Sequence, residues 1–364
     1  MNATLHLKDG TIIQGKSFGA NTQTSGEVVF NTGMMGYPQS LTDPSYSGQI
    51  IVFTYPLIGN YGISENKKDT HNIEKYFESG KIHVKGIVVS EYSENFSHFN
   101  GKKSLGKWLK ENNIPAITGI DTRALTQKIR EHGTILGKIA IENDKSQNRN
   151  SDFYNPDLDN LVDQVSIKKP IIYKGGMKKI ICIDCGMKNN ILRSLLERNL
   201  TVIRVPWNYD FLSEKAIPEC KNFNGIFMSN GPGDPALLKP LHKIVQKAML
   251  LKKPIFGICL GTQIMAIAAG AKTYKLKFGH RSQNQPCIDE ENKHCYITSQ
   301  NHGFAIDDKT LKKDWKVWLR NLNDTTVEGI KHKTLPYFSC QFHPEATPGP
   351  TDTNIFFDRF AEML

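Results

Sequence analysis

The sequence has little arginine, and this shortage argues against the nucleic-acid partner that its positive charge would suggest. Only 9 Arg stand beside 37 Lys, so the formal net charge of +10 comes mainly from lysine. Arginine is the residue expected where phosphates or bases are held in a fork, and the lysines form short pairs rather than long basic runs. We therefore expect a solvated basic surface and no nucleic-acid partner.

Cysteine is also sparse, and the amino terminus lacks a targeting pattern. Seven cysteines, an odd number spread over 364 residues, indicate no disulfide framework and favour a reducing compartment. The residues after Met1 have neither the apolar core of a secretory signal nor the Arg-rich character of a transit peptide. We expect a cytoplasmic location, or the plastid stroma if the chain is encoded in that organelle.

Long apolar runs are nearly absent. Residues 254–271 carry no charge and just reach the length of a membrane-spanning helix. Pro254, Gly257, Gly261 and Gly270 interrupt this stretch. Such breakers predict a short buried strand, a sharp turn and a helix of small residues, so we expect no membrane association.

The length of the chain and its changes of pattern predict two domains of different character. Residues 1–141 alternate with period two between Gly and Pro turns, which indicates a smaller, strand-rich α+β domain. Residues 142–176 lose periodicity and are predicted to be a linker region. In residues 177–364 apolar strands alternate with helices, which is typical of an α/β fold with a doubly wound, mostly parallel sheet. Functional groups of such sheets lie at the carboxyl ends of the strands.

One segment has the form of a nucleophile elbow, Gly257-Ile258-Cys259-Leu260-Gly261. Small residues on both sides allow the tight strand-to-helix turn that lifts the middle side chain clear of the backbone. Cys259 would then lie at a helix start, where the dipole favours a thiolate, and the Leu260 N–H could bind an oxyanion. On these residues alone, a buried structural cysteine remains an equal alternative.

A candidate base and its orienting carboxylate stand together in His343-Pro344-Glu345. Alternation in an extended segment puts His343 and Glu345 on the same side, and a carboxylate beside an imidazole fixes its tautomer. Taken alone, a packed histidine beside a solvated glutamate is the favoured interpretation, because most of the 11 histidines must be structural or exposed.

A third motif, 229–235, directly follows the apolar strand 225–228. Its glycines could expose backbone N–H groups to an oxyanion or a carboxylate at the sheet edge. It does not have the Gly-Lys-Ser/Thr ending of a phosphate-binding loop, and a plain turn is the alternative.

The three motifs together resemble the class I, triad-type glutamine amidotransferases. The segments 26–32, 41–50, 55–60 and 119–126 extend the resemblance over the whole chain, to the small-subunit family of carbamoyl-phosphate synthase. The resemblance implies that Cys259 is the nucleophile, His343 the general base and acid, and Glu345 the residue that orients His343. It also implies the residues that hold L-glutamine, which are Ser45, Gly231, Gly233, Leu260, Gln263, Asn301, Gly303 and Phe304.

This resemblance further implies the reaction and the partner. Glutamine is hydrolysed through a γ-glutamyl thioester, and the ammonia passes to a large synthetase subunit that makes carbamoyl phosphate for arginine and pyrimidine synthesis. No ATP-binding region is recognised in the chain, so ATP and a metal ion are expected on the large subunit, with no cofactor or metal on this one. A heterodimer with the large subunit is the expected assembly, and higher oligomers are an open alternative.

Two alternatives and one departure remain. The chain could serve an amidotransferase with another acceptor, or it could be a non-catalytic regulatory module of the same fold. Within 278–286, Gln285 stands where the family usually has His. This departure lies outside the triad and is expected to alter only the hydrogen bonds around the site.

Overall fold

In the computed structural model, residues 1–142 and 152–364 are described, and they form two compact units, Met1–Asp159 and Asn160–Leu364. The division falls within the predicted linker 142–176, of which residues 143–151 lie outside the described part of the chain. From Asn160 onward this segment belongs to the second unit and contains a short helix and a strand, which its aperiodic sequence does not predict.

The first unit is a closed barrel with three helices. Its elements are β1 (Asn2–Leu7), β2 (Ile12–Ser17), β3 (Thr24–Asn31), α1 (Tyr37–Thr42), β4 (Gln49–Phe53), β5 (Leu57–Ile58), β6 (Ile63–Ser64), β7 (Gly86–Val88), β8 (Glu91–Tyr92), β9 (Gly101–Lys103), α2 (Leu105–Glu111), β10 (Ala116–Thr118), α3 (Thr122–His132) and β11 (Ile135–Ile141). The barrel order is β1-β11-β3-β4-β7-β10-β2, and β5 pairs with β8 and β6 with β9 outside it.

The sequence pattern explains this barrel. Buried and less buried residues alternate along β1, whereas β4 and β7 are buried almost throughout, as expected for parallel strands covered on both sides. Side chains cap two helix starts, since Ser104 accepts a hydrogen bond from the Lys107 N–H and Asp121 from the Ala124 N–H. The strand-rich character was therefore visible in the sequence, but closure into a barrel was not.

The second unit is built on a ten-stranded sheet. Its elements are α4 (Leu161–Val165), β12 (Ile171–Tyr173), β13 (Lys179–Asp184), α5 (Asn189–Glu197), β14 (Thr201–Pro206), β15 (Gly225–Met228), α6 (Lys239–Met249), β16 (Ile255–Ile258), α7 (Leu260–Ala268), β17 (Lys272–Asp289), β18 (Cys295–Asp307), β19 (Trp315–Asn321), β20 (Val327–His332), β21 (Tyr337–Cys340) and α8 (Ile355–Met363).

The strand order of this sheet is β12-β14-β13-β15-β16-β21-β20-β19-β17-β18. The five strands β14, β13, β15, β16 and β21 run parallel, and their residues are almost all buried. Helices alternate with these strands along the chain, which confirms the predicted α/β class. Beyond them the sheet continues through antiparallel strands, among them the long β17–β18 pair with its bulges.

The uncharged stretch 254–271 forms β16, a turn and α7, as its breakers predict. In the part of the chain that the structure describes, no helix combines the length and apolar character needed to cross a bilayer.

Candidate active site

The predicted catalytic motifs meet at one edge of the second unit's sheet. The parallel strands β13, β15, β16 and β21 are consecutive in the sheet, and each is followed directly by a polar or reactive segment. These segments are 185–188, 229–234, 259 and 341–345. Because the carboxyl ends of parallel strands meet at the same edge, four segments distant in sequence converge there.

Cys259 lies on the sharp turn between β16 and α7, and its backbone is strained. Its φ of 53° is in the region that residues with a Cβ seldom adopt. A Cβ at Gly257 would lie 2.7 Å from the Gly261 carbonyl oxygen, and one at Gly261 would overlap the Met228 carbonyl. Both flanking positions therefore require glycine, and the predicted elbow is the conformation that the structure shows.

Backbone contacts fix the position of the Cys259 side chain. Its N–H donates to the Cys340 carbonyl at 2.9 Å, and the Thr262 hydroxyl donates to the same oxygen at 2.6 Å. The Sγ atom lies 3.6 Å from the Asn301 carbonyl oxygen. Cys259 is the N-cap of α7, so the Leu260 N–H is the first of the helix and has no preceding turn to bond to. The turn thus places a thiol beside backbone donors that can bind an oxyanion.

His343 and Glu345 form a buried pair just beyond β21. Nδ1 of His343 lies 2.6 Å from Oε1 of Glu345, and each residue is at most 2% exposed. The His343 N–H donates to the Ser299 carbonyl at 2.8 Å, which anchors the segment to β18. The other ring nitrogen, Nε2, is buried and has no hydrogen-bond partner among the described residues. The carboxylate therefore orients the imidazole, as the alternation of side chains predicts.

Lys188 is a further member of this group that the sequence analysis missed. Its ammonium lies 2.9 Å from Oε1 of Glu345 and donates to the Ala346 carbonyl at 2.6 Å. Lys188 is buried, which is rare for a lysine without a charged partner. Its position just after the apolar strand β13, at the reactive edge of a parallel sheet, is the signal that could have identified it.

The loop that carries Lys188 is held by a buried carboxylate. Asp184 accepts from the Gly186 and Met187 N–H groups at 2.9 and 2.8 Å, and it pairs with Arg204 at 3.0 Å. The Lys188 N–H donates to Asn230 Oδ1 at 3.1 Å, which ties this loop to the one after β15. The lysine is thus positioned by its backbone as well as by its charge.

The electrostatics of the group favour ionised side chains. Burial would raise the pKa of the Glu345 carboxyl, but Lys188 and His343 outweigh burial and hold that pKa well below its usual value. Burial would lower the pKa of His343, but Glu345, followed by the neighbouring Cys259 side chain, outweighs burial and raises that pKa above its usual value. Both shifts favour the ionised pair, an imidazolium beside a carboxylate.

Several of the residues predicted to hold glutamine surround the elbow. A Cβ at Gly231 would overlap the Cys185 carbonyl and lie 2.8 Å from the Leu260 side chain, so this loop packs directly against the turn. The Gln263 amide donates to the Phe304 carbonyl at 2.9 Å, and the Asn301 carbonyl faces Cys259.

The remaining predicted contacts lie farther along the same elements or on the first unit. Gly303 stands between Asn301 and Phe304 on β18, and Gly233 has a φ of 85° in the loop after β15. Ser45 lies on the first unit in a short helical turn, where its N–H donates to Asp43 Oδ1 at 2.9 Å. The glutamine-binding roles of all eight residues stay predictions.

The other cysteines differ from Cys259. All seven are free. Burial raises the pKa of the thiols of Cys182, Cys185, Cys287 and Cys340, so they remain protonated and inert in the core. Cys182 lies in β13 and Cys185 directly after it, and both are buried structural residues rather than a redox pair.

Comparison with known proteins reveals relatives along the whole chain. The family model of the carbamoyl-phosphate synthase small chain matches residues 5–139, and that of class-I glutamine amidotransferases matches residues 181–363. The full chain is 47% identical to the carbamoyl phosphate synthase arginine-specific small chain of Neurospora crassa, of which it covers 80%.

The chain is also similar in sequence to two much larger proteins, at about the same identity as to the Neurospora crassa chain. Over 99% of this chain, the identity is 51% to the multifunctional protein CAD of Squalus acanthias and 47% to the multifunctional protein URA2 of Saccharomyces cerevisiae. The chain spans 16% and 17% of the lengths of these two proteins. With both of its units matched in this order, the chain belongs to the carbamoyl-phosphate synthase small-chain family, and its second unit carries the class-I glutamine amidotransferase domain.

Proposed function

We propose that the chain hydrolyses L-glutamine at Cys259 and supplies the ammonia to a large synthetase subunit that forms carbamoyl phosphate. The observation that carries this proposal is the strained elbow at Cys259 beside the buried His343–Glu345 pair. Membership of the small-chain family supports the choice of acceptor, and its relatives include both an arginine-specific chain and multifunctional proteins.

In the first half of the reaction, the Cys259 thiolate attacks the side-chain amide carbon of glutamine, and a C–S bond forms. The carbonyl electrons move to oxygen, and the Leu260 N–H donates to the oxyanion. When the intermediate collapses, the C–N bond breaks and the His343 imidazolium gives its proton to the leaving nitrogen. The products of this half are ammonia and a γ-glutamyl thioester.

In the second half, a water molecule attacks the thioester. Neutral His343 takes one proton from the water, the C–S bond breaks, and the thiolate and the imidazolium are restored. The new γ-carboxyl group keeps the second proton until it is released to solvent, which gives glutamate. Glu345 holds Nδ1 of His343 throughout and stabilises the imidazolium whenever it forms. Lys188 keeps Glu345 ionised, so the carboxylate does not take the proton.

We infer that the synthetase chemistry lies on the partner. ATP and its metal ion bind to the large subunit, and the two chains act as a heterodimer in which only ammonia passes between the sites. The cytoplasm, or the plastid stroma for an organelle-encoded chain, is the compartment in which we expect this pair to work.

Replacing Cys259 with Ala tests the assignment. The variant should lose glutamine-dependent synthesis in complex with the large subunit, while ammonia-dependent synthesis persists because the partner is untouched. A matched control is Cys295→Ala, which removes an exposed thiol and should leave both rates unchanged. Glutamate release by a clean Cys259→Ala protein at the wild-type rate would contradict the proposed nucleophile.

The identity of the acceptor needs a separate experiment. The chain is used to capture its partner from cells of its source, and the captured protein is tested for carbamoyl phosphate formation from bicarbonate, ATP and glutamine. A partner that aminates a different acceptor would support the alternative amidotransferase and leave the glutaminase assignment intact.

A further inference from the structure

A second buried cluster lies in the antiparallel part of the large sheet, apart from the triad. His280 on β17 and His302 on β18 are cross-strand partners, and Glu328 projects from β20. All three are buried, and Glu328 is fully inaccessible. One nitrogen of each histidine and one carboxylate oxygen of Glu328 lie within 4.8 Å of one another. Two imidazoles and a carboxylate converge here, and the proposed reaction uses none of them.

The spacing of these atoms fits a small coordination sphere. Oε1 of Glu328 lies 3.4 Å from Nδ1 of His280 and 3.8 Å from Nε2 of His302. In a tetrahedral zinc site with bonds of 2.0–2.1 Å, neighbouring ligand atoms are about 3.4 Å apart. Small side-chain rotations would bring all three groups to that spacing.

The other ring nitrogen of each histidine lies within hydrogen-bond distance of an oxygen, as it does in most metal-binding histidines. Nε2 of His280 lies 2.8 Å from Oδ2 of Asp324, and Nδ1 of His302 lies 2.9 Å from the Phe304 carbonyl oxygen. A carbonyl only accepts, so Nδ1 of His302 carries the proton and Nε2 presents a lone pair. A carboxylate or a carbonyl behind each imidazole is the usual outer partner of a metal-bound histidine.

Inside the cluster, acceptor atoms lie close together, and the Asn321 amide donates to one of them, Oε1 of Glu328, at 3.3 Å. Nε2 of His302 lies 3.2 Å from Oε1 of Gln300, whose amide nitrogen lies 3.1 Å from the Thr298 hydroxyl and is turned away. Oε2 of Glu328 and Nδ1 of His280 are buried, and neither forms an aligned hydrogen bond with a described residue. A buried carboxylate oxygen and a buried ring nitrogen that both lack an aligned partner leave a position that a bound cation would satisfy.

We propose that His280 Nδ1, His302 Nε2 and the Glu328 carboxylate bind one divalent transition metal ion, with Gln300 Oε1 beside the fourth position. Two imidazole nitrogens with oxygen donors suit Zn²⁺ best among common ions, whereas Mg²⁺ and Ca²⁺ prefer all-oxygen sites. The sequence predicts no metal on this chain, because these ligands come from three separate strands and form no short spacing motif. The folded sheet brings them together.

The site would act on the strand that borders the elbow. His302 stands between Asn301 and Gly303, which are predicted glutamine contacts. A metal bound to His302 would fix this part of β18, and its removal would raise the KM for glutamine more than it lowers kcat. This consequence rests on the proposed function, whereas the presence of the metal does not.

Metal binding to the full chain tests the proposal directly. The protein is treated with a chelator, dialysed, and titrated with Zn²⁺ against a chromogenic chelator; Co²⁺ is then added to a second sample for its visible spectrum. We expect one tight equivalent, and a Co²⁺ spectrum of nitrogen and oxygen ligation. Glu328→Gln should weaken binding at least tenfold, and Asp324→Asn by about 10–100-fold as an outer partner. His294→Gln, which removes an exposed histidine, is the matched control and should bind as the wild type does.

Two results would overturn the site. One is a wild-type protein that binds no tight equivalent, or whose Co²⁺ spectrum shows thiolate ligation; this measurement needs no variant to fold. The other is a folded Glu328→Gln protein, verified by circular dichroism, that binds Zn²⁺ as tightly as the wild type. In either case the cluster holds only a proton shared between His280 and its carboxylates.

Discussion

Replacing Lys188 with Met measures how strongly one buried cation stabilises the catalytic group. Methionine keeps most of the length of the side chain and removes the charge. In the wild type, the Lys188 ammonium lies 2.9 Å from Glu345, and the two side chains are 4% and 0% exposed. The variant leaves the Glu345 charge buried with only His343 to balance it.

The expected destabilisation follows from this burial. Breaking a buried ion pair by removing one partner costs about 3–5 kcal/mol, because the remaining charge stays out of water. Lys293 pairs with Glu290 at 2.7 Å, but this pair is on the surface, where such a contact contributes at most about 1 kcal/mol. Lys293→Met is therefore a control with a similar N–O distance and a solvated environment.

Urea unfolding at neutral pH gives both free energies by linear extrapolation. The double variant Lys188→Met/Glu345→Gln removes both charges, so it should be less destabilised than the sum of the two single changes, by about 1–3 kcal/mol. Strictly additive effects, or a Lys188→Met protein as stable as Lys293→Met, would refute the reasoning.

Lys188→Met should also change the pH dependence of glutaminase activity, because it removes the positive charge beside Glu345. Lys188 is the largest influence holding the pKa of Glu345 down against burial, so that pKa should rise in Lys188→Met. The carboxylate would then be protonated at a higher pH, and the acid limb of the glutaminase pH profile should move upward. An unchanged acid limb would mean that Lys188 does not tune Glu345.

Two further predictions concern the same edge of the sheet. Glu345→Gln should lower the free energy of unfolding most between pH 4.5 and pH 6.5, which are the ordinary pKa values of Glu345 and His343. Urea unfolding across pH 4–10 measures this difference. The difference should shrink as pH rises through the raised pKa of His343, and also as pH falls through the lowered pKa of Glu345. A difference that stays constant with pH would show that the charges of His343 and Glu345 do not stabilise each other. Gly261→Ala should cost about 1–3 kcal/mol and most of the glutaminase activity, because the new Cβ meets the Met228 carbonyl. Gly80→Ala, where a Cβ meets only the flexible Glu74 side chain at 3.5 Å, should change stability by less than about 0.5 kcal/mol; equal effects would show that the elbow tolerates a side chain.

The sequence predicts the site best where the chemistry depends on neighbours in the chain. The turn at Cys259 needs small residues two positions away on either side, and the His343–Glu345 contact needs only an extended backbone. Local geometry decides both, so both are readable before the fold is known.

What the sequence does not show depends on contacts between distant segments. Lys188 reaches Glu345 only because β13, β15, β16 and β21 are consecutive in the sheet. The barrel closes because β1 pairs with both β2 and β11. The alternation of residues within one strand does not indicate which strands it pairs with. Gln285 accepts from Asn323 at 2.8 Å and lies 3.3 Å from the Asn321 amide, near Glu328, a network that no spacing in the sequence reveals.

The Cys340 carbonyl oxygen, which accepts from both the Cys259 N–H and the Thr262 hydroxyl, limits how this protein can vary. It joins the turn that bears Cys259 to the strand that leads, three residues later, to His343. The register of β16 on β21, in which Ile258 faces Cys340, therefore sets the separation between Cys259 and His343. Surface loops elsewhere can lengthen or shorten without disturbing it, whereas one residue deleted between Cys340 and His343 would move the imidazole by about 3.3 Å, the rise of one strand residue.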